Sequence, residues 1–114
     1  MKIDRFEDIL AWQKSKDLTK QIYVSFAESK DWGFKDQIQR ASVSIMNNIA
    51  EGFERKSHQE FKHFLFIAKG SCGETRSMLH LAIDLGKIDF EQGKNLIKLC
   101  EEISRMLSGL VKTL

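Results

Sequence analysis

The sequence predicts an all-α fold, an antiparallel up-down-up-down four-helix bundle made by one domain over residues 1–114. Three observations predict it. Apolar residues recur at spacings of three and four, which puts them on one face of a 3.6-residue helix. The 114 residues contain no proline, the residue that breaks helix interiors. Four periodic segments are joined by connections of a few residues, which force neighbouring helices to run antiparallel.

The first segment spans about 6–28. Ala11, Ser15, Leu18, Ile22 and Ser25/Phe26 mark its buried face, with Trp12 and Tyr23 on the flanks. The stretch Ser29-Lys30-Asp31-Trp32-Gly33 ends it, with Gly33 supplying turn geometry. The second segment, about 35–54, carries the stripe Ile38, Ala41, Ile45, Ile49 and Gly52/Phe53. Ser57 and Glu60 then have capping-box spacing, in which each side chain satisfies the other's free backbone N–H.

The third segment, about 58–85, keeps the rhythm through Phe61, Phe64/Leu65, Ala68, Cys72, Thr75, Leu79, Ala82 and Leu85. Gly70 and Gly73 interrupt it, each at a cost of up to about 1 kcal/mol against alanine, and close approach of a neighbouring helix is the expected compensation. Gly86 is a C-terminal stop. Asp89 is the N-cap of a fourth segment, about 90–113, with the stripe Leu96, Leu99/Cys100, Ile103, Met106/Leu107, Leu110 and Leu114.

Composition narrows the function classes. With 42% hydrophobic and 30% charged residues the chain has a globular balance, not a disordered one. Eighteen basic and 16 acidic residues give a net charge of +2, with the small excess confined to residues 30–76. That is far from the strongly basic balance of a dedicated nucleic-acid binder. Cys72 and Cys100 sit at core positions, and no C-x-x-C metal or redox spacing exists. The N-terminus has no apolar signal core, and no stretch is long and apolar enough to span a membrane, so a cytoplasmic location is expected.

Catalytic and metal constellations are sparse. Glu60-x-x-His63 has the spacing of a di-iron bundle motif. It occurs once, and His58 and His80 lack the matching glutamate, so it reads as a solvated helix face. No histidine stands beside a serine or cysteine by local sequence, and Gly70-Ser71-Cys72-Gly73 lacks the phosphate-loop pattern. The expectation is a protein that is not an enzyme and holds no cofactor and no metal.

Two surface sets remain. Arg40, Ser44, Asn48, Glu51 and Arg55 on the second helix adjoin the apolar stripe, and Lys69, Ser71 and Glu74 on the third answer them. They read as an interhelical polar network that fixes register, or as a contact surface for another subunit or ligand. Arg40, Arg55, Lys56, Lys62, Lys69 and Arg76 form a basic set around helices two and three. It reads as a solvated face, with a weak nucleic-acid contact as the alternative.

The segments Phe6-Glu7-Asp8-Ile9-Leu10-Ala11-Trp12-Gln13-Lys14, Gln37 to Ile45, Asn48-Ile49-Ala50-Glu51-Gly52-Phe53 and Ala68-Lys69-Gly70-Ser71 resemble the bacterial four-helix-bundle family of 23S rRNA intervening-sequence proteins. The resemblance implies a homo-oligomer, a ring-shaped homopentamer. A related group, the accessory variability proteins of diversity-generating retroelements, is strongly basic and binds nucleic acid; this near-neutral chain departs from it. Met46 stands where the family usually has proline, which implies a straighter second helix. Gly73 replaces a larger residue, which implies a locally looser third helix. The expectation is a non-enzymatic oligomeric binding protein contacting structured RNA or a ribonucleoprotein, with RNA or DNA as ligand. The alternatives are a structural or protein-interaction module without nucleic-acid binding, and, more remotely, a metal or small-molecule bundle.

Overall fold

A computed structural model describes residues 2–114. These form one 3-10 turn, Phe6–Asp8, and four α-helices: α1 Leu10–Ser25, α2 Trp32–Phe53, α3 His58–Asp84 and α4 Phe90–Lys112. The described residues contain no strand.

Side-chain pairs across the seams fix the topology. Thr19 meets the carbonyl of Ser42, Ser44 meets Ser71, Arg76 meets Glu101, and Lys14 meets Glu102. Within each pair of helices, a residue further along one contacts a residue earlier on the other: Gln37 reaches Glu74 while Gly52 lies at Phe61 and Phe64. All four seams are therefore antiparallel, and α4 closes back onto α1. At about 1.5 Å per residue, the 27-residue α3 spans about 40 Å, nearly the 42 Å length of the molecule.

The apolar stripes meet in one core. Leu18, Ile22, Phe26, Ile38, Ile45, Ile49, Leu65, Leu79, Leu96, Ile103 and Leu107 are fully buried. Each contributes about 1.5–3 kcal/mol of transfer free energy. The buried hydroxyls of Ser15, Thr19 and Thr75 bond back to the carbonyls four residues earlier. Among the described residues no buried side-chain nitrogen or oxygen lacks a partner. Leu85, expected in the stripe, lies past the end of α3 and is exposed.

The structure corrects both early boundaries. The first helix does not begin at Phe6, because Ile9 is extended (φ −75°, ψ 119°) and interrupts it. That break drops the Ile9 side chain into the core and lets Phe6 pack edge-on against Trp12, ring centres 5.2 Å apart. The second helix begins at Trp32, and Gly33 lies inside it rather than in a turn. Asp31 is the reason: its Oδ1 accepts the backbone N–H of Phe34 as an N-cap. Its Oδ2 takes Lys87 Nζ at 2.9 Å, so the connection after α1 is tied to the one after α3. That lysine, then the Phe34 N–H, hold the Asp31 carboxyl below the usual carboxylate range.

Ser57 caps α3 by accepting the Glu60 N–H, but the capping box is half made. The Glu60 carboxylate takes the Ser57 hydroxyl instead of a backbone N–H. Gly86 has φ +69°, and Lys87 N–H reaches back to the Ala82 carbonyl at 2.8 Å, a left-handed helix stop that suits glycine. Asp89 caps α4 through the Gln92 N–H. α2 continues unbroken through Met46.

Close packing is permitted by Gly52 and Gly93, not by Gly70 and Gly73. A Cβ on Gly52 would stand 2.6 Å from Phe64 Cβ, and one on Gly93 would stand 2.6 Å from Ile83 Cγ1. Gly70 and Gly73 face outward, with open space where a Cβ would go.

Candidate functional site

The polar set assembles only in part. Ser44 Oγ and Ser71 Oγ lie 2.8 Å apart across the α2–α3 seam, and Asn48 Nδ2 donates to Ser44 Oγ at 2.9 Å and to the Ser44 carbonyl at 2.8 Å. This half-buried chain joins three of the eight residues. Glu74 lies on the same seam but accepts from Gln37 at 3.4 Å. Arg40 turns outward to Asp36 at 2.8 Å, a pairing that holds its guanidinium proton more tightly. Arg55 binds Glu51 at 2.8 Å and stacks over Phe64 at 4.8 Å. Lys69 is not part of the network. Three residues before Cys72, it lies on the edge of α3 that faces α4.

The basic set divides in the same way. Arg40 stands alone on the outside of α2. Arg55 and Lys56 sit at the α2–α3 turn, beside an open cleft of about 420 Å³ with Phe53, Phe61 and Leu110 among its walls. Lys62, Lys69 and Arg76 follow each other at seven-residue intervals along the α4 edge of α3, where Arg76 meets Glu101 at 3.7 Å. The structure thus brings together three of the six, and α4 adds cations that the sequence reading passed over: Lys98, Arg105 and Lys112, again seven apart. The repeat of seven, applied to charge rather than to apolar residues, is the signal that finds them.

The cysteines and histidines are placed far from any shared task. Cys72 Sγ donates to the Cys100 carbonyl at 3.1 Å inside the α3–α4 seam, and the Cys72 thiol beside it, then burial, pushes the Cys100 thiol up. His58, His63 and His80 are exposed, and Glu60 serves the α3 cap. Among the described residues no group of three or more histidine, cysteine or acidic side chains is placed to hold a metal ion. Among the described residues no helix is long and apolar enough to cross a membrane.

Outside these polar groups, α3 exposes a run of large apolar side chains. Phe66, Ile67, Leu81 and Leu85 are 57%, 40%, 48% and 57% exposed. They flank the open backbone of Gly70 and Gly73.

Comparison with known proteins agrees with this architecture. No protein of curated function matches the chain. Among solved structures, it is similar to a protein with unknown function from the S23 ribosomal protein family of Bacteroides thetaiotaomicron VPI-5482. The two share 28% identity and a TM-score of 0.85, over 90% of this chain and 99% of the other. Residues 7–109 match the profile of the 23S rRNA-intervening sequence proteins, so the chain belongs to the 23S rRNA-intervening sequence protein family.

Proposed function

We propose that this chain is a non-enzymatic, oligomeric binding protein of the cytoplasm, a homopentameric ring that contacts structured RNA or a ribonucleoprotein. The observation that carries the reading is the apolar run on α3. Phe66, Ile67, Leu81 and Leu85 form an outward face with small residues at its centre, and monomers rarely leave such faces uncovered. A ring needs two different surfaces that meet head to tail. A second exposed apolar set, Tyr23, Val24 and Trp32, lies near the α1–α2 connection and supplies that other half. The family's description, which concerns intervening sequences of 23S rRNA, supports RNA as the ligand class. No catalytic residue, cofactor or metal is assigned in this reading.

Light scattering tests the assembly: a ring of five has five times the 13.2 kDa chain mass, and a monomer at micromolar concentration rejects it. Filter binding with rRNA fragments at two salt concentrations tests the ligand. Phosphate contacts are strongest at low salt, so absence of binding there rejects the RNA reading. The apolar face also favours a second reading, a protein-interaction module without nucleic-acid binding. Pentamers that ignore RNA at low salt would support it.

A further inference from the structure

We propose that the outer face of the α3–α4 seam is the nucleic-acid contact, a two-row strip of cations that takes the phosphate backbone. This rests on the RNA reading above and gives it a surface. On α3 the row is Lys62, Lys69 and Arg76; on α4 it is Lys98, Arg105 and Lys112, with Lys94 one turn before Lys98. A seven-residue interval drifts only about 20° around a helix, so each row stays on one edge. The core residues of α4, Leu96, Cys100, Ile103 and Leu107, point the opposite way, which turns the α4 row outward.

The register of the seam interleaves the rows. Arg76 at Glu101, Cys72 at Cys100 and Ile83 at Gly93 fix the antiparallel offset. That offset sets Arg105 between the levels of Lys69 and Arg76, and Lys112 between those of Lys62 and Lys69. From Lys62 to Lys94 the strip runs about 30 Å at 1.5 Å per residue, with its rows about 8–10 Å apart. At 3.4 Å per nucleotide this is the reach of on the order of nine nucleotides of one strand.

The charge is segregated rather than diluted. Seven of the 18 basic residues lie in this strip, against one of the 16 acidic residues, Glu101. Glu101 is already held by Arg76 at 3.7 Å, and its neighbour Glu102 turns to the α1 side and pairs with Lys14 at 3.4 Å. Asp84 and Glu91 close the far end: Glu91, seven residues before Lys98, continues the α4 row one turn past Lys94. The remaining eleven basic and fifteen acidic side chains leave the rest of the molecule net acidic, so the overall +2 hides a positive face. Among the described residues, Lys62, Lys69, Lys98, Arg105 and Lys112 have no carboxylate within 4.0 Å and are available to phosphate.

The strip fits a nucleic acid better than a protein. Ser104 and Ser108 of α4 lie between the rows, and Phe66 stands only at the margin. The centre therefore lacks the aromatic anchors that dominate protein interfaces, while serine hydroxyls are common phosphate donors. In a ring the strip repeats around the axis, and avidity multiplies each weak contact.

The test uses the full oligomer with three probes: a 20-base-pair RNA duplex, one of its single strands, and the DNA duplex of the same sequence. The variant Lys69→Gln/Lys98→Gln/Arg105→Gln removes three exposed charges. The control Lys20→Gln/Lys30→Gln/Arg40→Gln removes three from the α1–α2 side, with circular dichroism and light scattering confirming equal folding and assembly. The expected result is an affinity loss of at least tenfold at 50 mM salt for the strip variant. Its plot of log K against log salt should also be shallower by about 2–3, from 0.7–0.9 per phosphate contact. The control stays within threefold. RNA duplex bound better than DNA names RNA as the source of the phosphates; equal binding keeps the strip and makes the contact one of charge alone. If the wild type binds and the strip variant binds equally well, or the control loses as much, the strip is overturned while the RNA reading stands. If the wild type binds no probe at low salt, the RNA reading itself falls.

Discussion

Replacing Gly52 with alanine measures how tightly α2 and α3 are pressed together. The new Cβ would stand 2.6 Å from Phe64 Cβ, 3.1 Å from Phe61 Cδ1 and 3.3 Å from the Phe61 carbonyl oxygen. Ordinary contact begins near 3.4 Å. Phe64 Cβ is bonded directly to backbone, so rotamer changes cannot clear it; the helices must part by most of an ångström. Parting them loosens Phe61 and stretches the 2.8 Å Ser44–Ser71 bond. Overpacking of this kind costs about 1–3 kcal/mol, and the gain in helix propensity returns up to about 1. The net expectation is a loss of about 1–2 kcal/mol, or about 4–8 °C in Tm for a domain of this size. Gly109→Ala is the internal comparison. That residue is exposed in α4 with nothing within 4 Å of its Cβ position, so the same substitution gains about 0.5–1 kcal/mol. Urea unfolding followed by circular dichroism at fixed protein concentration reads both, since self-association shifts apparent stability. A Gly52→Ala protein as stable as the wild type would refute the close approach. A destabilised Gly109→Ala protein would refute the propensity argument.

Phe26→Ala removes a fully buried ring at the end of α1, and denaturant titration should show a loss of about 3–5 kcal/mol. A double-mutant cycle on Ser44→Ala and Ser71→Ala should give a coupling of about 0.5–1.5 kcal/mol, with zero coupling meaning that the hydroxyls do not meet in solution. Asp89→Ala removes the α4 N-cap and should cost about 1 kcal/mol. Asp31 has a folded pKa below its ordinary value of 3.8, so its contribution is complete above that value and disappears as pH falls through the lowered folded one. Asp31→Asn should therefore destabilise at pH 7 by an amount that shrinks as pH falls below 3.8, and a carboxyl-carbon NMR titration should place the Asp31 midpoint below 3.8.

The apolar stripes were readable because burial follows helical pitch directly: Leu18, Ile22, Ile38, Ile45, Leu65, Leu79 and Ile103 all recur at three or four and are all fully buried. Start points were harder. Ile9 looks helical by spacing, and only its tertiary place in the core explains why it is extended. Asp31 was hidden inside a polar stretch that also contains Gly33, and a glycine near a break invites a turn assignment. The glycines show the same limit. Spacing locates a glycine on a helix but not the distance of the next helix: Gly52, a stripe residue, is pressed against Phe64, while Gly70 and Gly73 face open space. The polar set failed at Lys69 and Arg40 because composition counts charges but does not say which edge of a helix they occupy. Charge totals along the chain hid the α4 row in particular. Its four cations, with Lys87, are balanced in number by Asp84, Asp89, Glu91, Glu101 and Glu102, and only the fold shows that Glu102 turns away to Lys14.

The order of the seams sets how this chain reaches its final shape. α1 meets α2, α2 meets α3 and α3 meets α4 across connections of a few residues, so three of the four seams can form with little loss of loop entropy. The α1–α4 seam alone joins distant parts of the chain, and several of its contacts are polar: Lys14 to Glu102, and Gln92 to Gln21. Hairpins therefore assemble early and quickly, and the final docking of the first helix against the last is the step whose rate depends on bringing the two ends of the sequence together.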